Sequence, residues 1–434
     1  MHRRKRLRFT SVVGPVLFLI VIFFITPAQS FEPGKTYDKN NWQEIKELLP
    51  PSVLEWVKKG DFILKTGELN FKWAQDDSWN KATRENKGKY DIDDDGVVVD
   101  KSSGKPATFI YGFPFHDIDL KDPKVGAKIS ENGRYNRYHS EVYSASADVQ
   151  WIGTGGLERK VVAASNYLYY LGRSRGPLPN PNNFLQQDTV YVASPFDLRG
   201  TVQMSWQYND ARETTAFAYV PMLRRVRRVS AASRSDPFLG SDLCTDDTAG
   251  FGGKNASLTW KFIGEQTLLV PVPYNKEIVM KRNPNGSFER EFQVVKKGYE
   301  VPGWTGAPWA PTTCTWVARP HWIVEAFPKD PYYAYGRQIY YIDKDAYNFS
   351  YKLIYDRAGE YWKTLIIGYM LSRSEDKSFI CNTSEFYMVV DDRTNHSTFA
   401  ALTSSEGKPG RISNPPEVSG PHLFTTAYLL ELSK

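Results

Sequence analysis

The sequence is poor in the residues that enzymes and metalloproteins need at fixed spacings. The spacing of its three cysteines, Cys244, Cys314 and Cys381, matches no zinc or haem motif. Its histidines form no H-E-x-x-H pair, and there is no G-x-S-x-G turn. The stretch "DIDDDGVVVDKS" (91–102) resembles a calcium loop, but Ser102 stands where a bidentate glutamate is required. We therefore expect no metal, no cofactor and no catalytic residue, with a site assembled only in space as the enzymatic alternative.

Long hydrophobic runs are also scarce. The one run, residues 12–25, follows the basic stretch "MHRRKRLRFT" and precedes "TPAQS". Its length of 14 residues is short of the roughly 20 that a membrane-spanning helix needs. Ala28 and Ser30 are small residues of the kind that a signal peptidase requires. This pattern predicts that residues 1–30 are a cleaved signal peptide of a periplasmic protein from a Gram-negative bacterium, with a retained membrane anchor as the alternative.

A charge excess is lacking once the signal peptide is removed. The chain has 55 basic and 49 acidic residues, and five basic residues but no acidic one lie in the first 30. Cleavage thus lowers the formal charge from +6 to +1. Nucleic-acid-binding proteins usually carry a clear basic excess, so we expect no nucleic-acid partner. The exported compartment permits a disulfide, and Cys314 with Cys381 is the preferred pair because both flank strand-like segments.

Aromatic residues are abundant, at 14% of the chain. The segments 201–208, 214–221 and 257–264 alternate, with large apolar residues on one face. Further strand-like segments between residues 337 and 371 are joined by short turns, which predicts an antiparallel meander. The apolar faces indicate either the lining of a ligand cavity or a solid core. Their residues are Met204, Trp206, Tyr208, Phe217, Tyr219, Leu258, Trp260 and Phe262.

The pattern along the chain predicts a mainly β protein, of α+β type, in three parts. Residues 1–30 are the signal peptide, 31–147 an N-terminal helical and loop-rich extension packed on the main domain, and 148–434 an antiparallel β domain. In the extension we expect two short helices within 40–59, broken at the two adjacent prolines, and few regular elements afterwards. We expect residues 422–432 to form the last strand.

The segment "YVPMLRRVRRVSAASRSDPFLGSDLCTDDTAGF" (219–251) has the most unusual charge pattern. Four arginines lie within five residues, and four aspartates follow. Three interpretations stay open: an internal Arg–Asp network, because an unpaired buried charge is costly; recognition of an anionic headgroup at a cavity mouth; or a protein-partner patch. The residues are Arg224, Arg225, Arg227, Arg228, Asp236, Asp242, Asp246 and Asp247.

This segment, extended to residue 218, resembles the signature of the family called domain of unknown function 1329 (DUF1329). These are exported bacterial proteins often described as outer-membrane lipoprotein-sorting-like. The meander "YIDKDAY…YDRAGEYWK" is shared more loosely with the lipoprotein carriers LolA and LolB. The resemblance covers nearly the whole mature chain. Further matching pieces, in the family's order, are residues 49–62, 112–128, 194–201, 260–271, 324–347 and 355–363.

The resemblance implies a LolA/LolB-like fold for residues 148–434: a large, curled, unclosed antiparallel half-barrel with a few helices on its concave face. It also implies a periplasmic carrier of a lipid or other hydrophobic ligand, acting in outer-membrane lipid or lipoprotein trafficking without chemistry. An envelope transporter or outer-membrane protein is the expected partner, and we expect a monomer. The alternative is an envelope interaction or assembly protein with a filled β core and no ligand cavity.

Overall fold

The structure is a computed structural model that describes residues 31–403, 410–412 and 420–432, so the predicted signal peptide lies outside the described residues. Within the described residues, no helix is long and apolar enough to cross a membrane. The described helices and small hairpin strands are α1 (Pro51–Lys59), α2 (Asp77–Glu85), α3 (Val125–Tyr138), α4 (Thr426–Leu432), β1 (Thr36–Tyr37), β2 (Leu64–Lys65), β3 (Tyr90–Ile92) and β4 (Val98–Asp100). The strands of the large sheet are β5 (Val142–Gly153), β6 (Gly156–Tyr169), β7 (Phe184–Ser194), β8 (Val202–Tyr208), β9 (Thr215–Val220), β10 (Arg225–Val229), β11 (Leu258–Val272), β12 (Ile278–Arg282), β13 (Phe288–Arg290), β14 (Thr315–Pro328), β15 (Arg337–Asp343), β16 (Phe349–Tyr355), β17 (Tyr361–Ser374), β18 (Ile380–Asp391), β19 (His396–Thr403) and β20 (Gly410–Ile412).

The two predicted N-terminal helices are present. A 3-10 helix, Trp42–Leu48, is followed by α1, which begins at Pro51. Proline suits a first helical position because its missing N–H would have no partner there. Gly60 ends α1 in a left-handed conformation, with φ of 87°, and donates its N–H to the carbonyls of Trp56 and Val57.

The sixteen strands β5–β20 form one large sheet. Its main path runs β10-β9-β8-β7-β6-β5-β20-β13-β12-β17-β16-β15-β14-β11, and β18 and β19 join β17 to β5 by a second route. All its neighbours are antiparallel except β12 and β17. Within the described chain, β10 pairs only with β9 and β11 only with β14, and bulges bend several strands. The prediction of a mainly β fold with a curled, unclosed antiparallel sheet is confirmed.

The sheet is covered on both faces. Successive residues of a strand point to opposite faces, and in β15 Tyr341 packs with Trp56 of α1 whereas Tyr340 packs with Ile129 of α3. We call the face that carries Tyr340 the α3 face. The first strand of the large sheet, β5, begins at Val142. The domain boundary between residues 147 and 148 stays a prediction.

Helix α3 was not expected in a region predicted to be loop-rich. Its two glycines, Gly126 and Gly133, disfavour a helix by intrinsic propensity. They are seven residues apart and so lie on one helical face, where the helix comes very close to the sheet region. A Cβ at Gly126 would be 2.9 Å from the backbone nitrogen of Phe262, and one at Gly133 would be 2.5 Å from the ring of Phe349. Tertiary packing therefore overrides the local propensity.

The predicted last strand is wrong, because residues 426–432 form helix α4. Leu429 is fully buried and packs in one cluster with Met204 and Phe424. Leu429 and Leu432 are three residues apart, which places both on the helical face that meets β8, β9 and β10.

The packing of α4 predicts the effect of two matched substitutions. Leu429→Ala should lower the free energy of unfolding by about 2–5 kcal/mol, because it removes a buried side chain and leaves a cavity. Leu430→Ala should change it by about 0.5 kcal/mol or less, because Leu430 is 44% exposed. Urea denaturation measures both values. Equal losses from the two substitutions would contradict the packing of α4 described here.

Candidate functional site

The segment that joins β10 to β11, residues 230–257, lies across the α3 face, and we call it the covering loop. Its Arg234 donates to Oδ1 of Asp246 at 2.7 Å and to the hydroxyl of Ser205 in β8 at 2.7 Å. Asp246 also accepts from the hydroxyl of Tyr333 at 2.9 Å. Arg234 and Asp246 are both buried. This charge pair lies within the covering loop, and the hydrogen bond from Arg234 to Ser205 attaches the loop to the sheet.

A second buried pair lies beside the first. Nζ of Lys352 in β16 is 2.5 Å from Oδ1 of Asp247, and both side chains are fully buried. The hydroxyl of Tyr335 donates to Asp247 at 2.9 Å, as does the amide of Cys244 at 2.8 Å. Burial alone would raise the pKa of Asp247, but the ammonium groups of Lys352 and Lys363 outweigh it and lower that pKa.

A third attachment involves Asp242. Its Oδ2 lies 2.6 Å from Nδ1 of His396 and accepts from Thr398 at 2.8 Å. Lys363 donates to the carbonyl of Asp242 at 2.6 Å. The carboxylate of Asp242 raises the pKa of His396 because it stabilises the imidazolium, and Glu158 at 3.4 Å adds to this effect.

The structure does not pair the four predicted arginines with the predicted aspartates. Asp242, Asp246 and Asp247 are in a network, but their basic partners are Arg234, Lys352, Lys363 and His396. The four predicted arginines lie on or beside the edge strand β10, where they are exposed, and none of them forms an ion pair within the described residues. The edge position leaves them in solvent, so no acid partner is required. They are Arg224, Arg225, Arg227 and Arg228, and Asp236 is exposed as well.

Three adjacent cavities lie between the covering loop, α3 and the sheet. The outer chamber has a volume of about 240 Å³, the middle chamber about 90 Å³ and the inner chamber about 50 Å³. Val190, Gln203 and Thr245 border both the outer and middle chambers. The outer chamber is lined by Asp188, Ser205, Ala216, Ala218, Val229 and Arg234 among others; the middle one mainly by Ala147, Val149, Ala163, Leu243, Ala400 and Leu402.

The inner chamber differs in chemistry from the middle one. Tyr167, Thr248 and Tyr387 border both. Beyond them the inner chamber contains three buried polar atoms that have no hydrogen-bond partner: Nε of Arg137, the hydroxyl of Tyr143 and Oδ1 of Asn382. Arg137 on α3 and Tyr143 on β5 were not singled out from the sequence. The sequence offered one signal for Arg137: it follows Gly133, the second glycine of α3, by four residues.

A wider cleft of about 630 Å³ borders the covering loop on its solvent side. Arg234 lines both this cleft and the outer chamber. The cleft carries charges of both signs, including Arg212, Glu213, Lys254 and Asp330. Its composition is that of a polar surface groove, whereas the middle chamber is apolar.

The eight residues predicted to line a cavity do not form one cavity. Met204, Trp206, Phe217 and Tyr219 pack beneath α4, and Nε1 of Trp206 donates to the carbonyl of Phe424 at 2.9 Å. Of these, Met204 and Phe217 also border the outer chamber. Leu258, Trp260 and Phe262 pack instead with α3, and Tyr208 stacks on Phe184 at 5.5 Å. The prediction failed because α4 covers the apolar face of β8 and β9, so their more polar face turns toward the chambers.

The predicted disulfide is also corrected, because Cys244, Cys314 and Cys381 are free and buried. Cys314 belongs to the cluster around Trp56, and Cys381 to a separate cluster around Phe288. A position beside a strand does not bring two thiols together when each belongs to a different core cluster. Burial raises the pKa of Cys381 to about 12, so this thiol stays protonated at neutral pH.

No group of three or more histidine, cysteine, aspartate or glutamate side chains suited to a metal ion occurs in the part of the chain that the structure describes. The acidic stretch at 91–102 forms the small hairpin of β3 and β4. There Asp93 accepts from the amide of Val97, and Asp91 lies 2.7 Å from Lys128. These carboxylates thus have protein partners.

The family described as "Protein of unknown function (DUF1329)" matches residues 36–429. The chain belongs to this family. The family resemblance inferred from the sequence is thereby confirmed, and the covering loop lies inside the matched range. No curated protein matches the chain.

Three solved structures are similar to the DUF1329 chain described here. A Vibrio parahaemolyticus domain, provisionally described as an outer membrane lipoprotein-sorting protein, is 16% identical with a TM-score of 0.48, and the match covers 71% of this chain and 100% of that one. A DUF1329 family protein from Desulfovibrio piger is 16% identical with a TM-score of 0.47, covering 71% and 98%. A LolA superfamily protein from Nitrosomonas europaea is 9% identical with a TM-score of 0.41, covering 70% and 98%.

The buried pair of Lys352 and Asp247 predicts a large loss of stability on substitution. Lys352→Met should lower the free energy of unfolding by about 3–5 kcal/mol, because it leaves the buried Asp247 carboxylate without its main partner. Lys344→Met is the matched control, since Lys344 pairs with Glu265 at the surface, where such pairs contribute about 0–1 kcal/mol. Chemical denaturation of both variants tests this, and comparable losses would contradict it.

The pair of His396 and Asp242 predicts a pH dependence of stability. A pKa that is raised in the folded state means that the contribution of His396 is complete below its unfolded pKa, about 6.5, and is lost as the pH rises through the folded pKa. His396→Gln removes this titration. The stability difference between wild type and His396→Gln should therefore shrink as the pH is raised above about 6.5. A difference that is constant or grows with pH in denaturation experiments would contradict the pairing.

Proposed function

We propose that the protein binds and carries an amphipathic, hydrophobic ligand in the three chambers beneath the covering loop, without chemistry. The observation that carries this proposal is the apolar middle chamber, which lies between a chamber with one charged residue and a larger chamber that borders a surface cleft. Three alanines and two valines are among the residues that line the middle chamber. Small side chains leave space in a region where a protein core is otherwise closely packed.

The energetics of such binding need no catalytic group. Burial of each methylene group contributes about 0.8 kcal/mol, so an acyl chain of ordinary length supplies enough free energy for tight retention. Small-molecule pockets usually have volumes of about 300–1,000 Å³. Taken together, the outer and middle chambers, at about 240 and 90 Å³, just reach the lower end of that range.

The compartment and the pathway belong to the same proposal. The basic, apolar N-terminal segment supports export to the periplasm. A hydrophobic ligand needs a carrier in such an aqueous compartment, which supports a role in outer-membrane lipid or lipoprotein trafficking. We further propose that the carrier acts as a monomer and transfers its ligand to an envelope transporter or an outer-membrane protein.

One observation favours the second candidate, an envelope interaction protein. Among the described residues, strand β10 is an open edge of the sheet; four exposed arginines lie on or beside it, and Met222 next to it is 91% exposed. An open edge can pair with another chain. The same arginines also suit contact with an anionic headgroup or surface, because Arg225 and Arg227 share a strand face with Val229, which lines the outer chamber.

Substitution within the middle chamber tests the carrier proposal. Ala400→Leu should fill much of the chamber and lower the affinity for a fluorescent long-chain lipid probe by at least tenfold, because the added atoms occupy ligand space. Ala401→Leu is the matched control, since Ala401 is half-buried on the opposite face and packs with the cluster of the N-terminal helices. Equal probe binding by wild type and Ala400→Leu, with both folded, would refute the assignment of the ligand to this chamber.

A further inference from the structure

We infer that the inner chamber binds the carboxylate of a long-chain fatty acid, or of an equivalent amphipathic monocarboxylate, with Arg137 and Tyr143 as its hydrogen-bond donors. This inference rests on the proposed function, since it names the ligand class of the same three chambers. The acyl chain then lies in the middle and outer chambers, so the ligand enters with its acidic end innermost.

The state of Arg137 is the first observation. Its guanidinium donates to Oε1 of Gln186 at 3.0 Å and, more weakly, to the carbonyl of Thr248 at 3.4 Å. Its buried Nε has no partner, and no carboxylate forms an ion pair with Arg137 among the described residues. Arg137 is half-buried, and a cation removed from water without a counter-ion is costly. An anionic ligand would supply the missing charge and accept the free N–H.

The second observation is another unpartnered donor in the lining of the same chamber. The hydroxyl of Tyr143 is also buried without a partner, and Tyr143 lines the chamber with Arg137. Burial raises the pKa of Tyr143 well above its usual value, so its hydroxyl stays protonated and can donate. Asn382 also lines the chamber, but its unpartnered Oδ1 is an acceptor and supplies no bond to a carboxylate.

The charge and size of the chamber favour a single carboxylate. Among the described residues that line it, Arg137 alone is charged. One cation matches one negative charge, whereas a dianionic phosphate would bring a second charge with no partner. The volume of about 50 Å³ has room for a few water-sized groups, since a water needs about 10–15 Å³. This is enough for a carboxylate group but not for its chain.

The neighbouring chamber suits the rest of the ligand. Tyr167, Thr248 and Tyr387 stand between the inner and middle chambers, so a chain that leaves the carboxylate site passes between two aromatic rings and enters an apolar space. Charge-assisted hydrogen bonds at one end and apolar burial at the other would select an amphipathic acid over a neutral lipid.

Binding of cis-parinaric acid, a fluorescent fatty acid, and of its methyl ester tests the inference on the folded mature protein. Wild type should bind the acid at least tenfold more tightly than the ester. Arg137→Met should lower the affinity for the acid by about tenfold or more, and Tyr143→Phe by about fivefold, because each removes a hydrogen bond to a charged group. Both variants should bind the ester about as well as wild type does.

Tyr135→Phe is the matched control. Tyr135 also lies on α3 and has a buried hydroxyl without a partner, but it does not line the inner chamber. Its substitution should leave the affinity for the acid unchanged. Equal binding of acid and ester, unaffected by Arg137→Met, would overturn the carboxylate site and show that the chamber holds only water. Absence of binding for both probes would instead overturn the proposed function itself.

Discussion

The buried pair of Lys352 with Asp247 holds the covering loop on the sheet, and the chambers exist because the loop is held there. Within the loop, Arg234 pairs with Asp246 and also donates to Ser205 of β8. A charge pair inside a protein stabilises the fold only when both partners and their remaining hydrogen bonds are in place. Tyr333 and Tyr335 supply such bonds. Loss of one partner would leave a buried charge that favours displacement of the loop. Charge pairs therefore fix the loop on this face of the sheet. An apolar loop would instead pack into the space and fill it.

The same arrangement explains the space between the covering loop and the α3 face of the sheet. On the opposite face, α1 and large aromatic residues such as Trp56 and Trp316 form a continuous core. On the α3 face, the charge pairs of the covering loop and the two glycines of α3 set the distances of the loop and the helix from the sheet. Alanine and valine side chains on β5, β6 and β19 then leave the middle chamber unfilled.

Local patterns were sufficient for much of the fold. The prolines and glycine around α1 mark its ends, and the alternation in β8, β15 and β16 identifies strands whose bounds agree within one or two residues. The sequence did not show which face of these strands would line the chambers. Alternation shows that Met204 and Trp206 share a face, but not that a helix formed by residues 426–432 covers it.

The site was harder to predict because it depends on contacts between distant segments. The four clustered arginines were expected to belong to the site, but they lie on or beside β10 and are exposed to solvent. The arginines that matter inside, Arg137 and Arg234, lie outside the cluster of four and become significant only through what surrounds them. Lys352 was a weak signal, since it is the one charged residue in the strand "FSYKLIY". A charge at a buried position of a strand indicates a partner, but does not identify it.

The proposed carrier function requires a ligand in the chambers. Native mass spectrometry of the protein, purified from the cells that produce it and followed by organic extraction, tests this. We expect one bound amphipathic acid per chain, released on extraction and absent from protein that has been stripped and refolded. A protein of unliganded mass that also fails to take up an added long-chain fatty acid would contradict it.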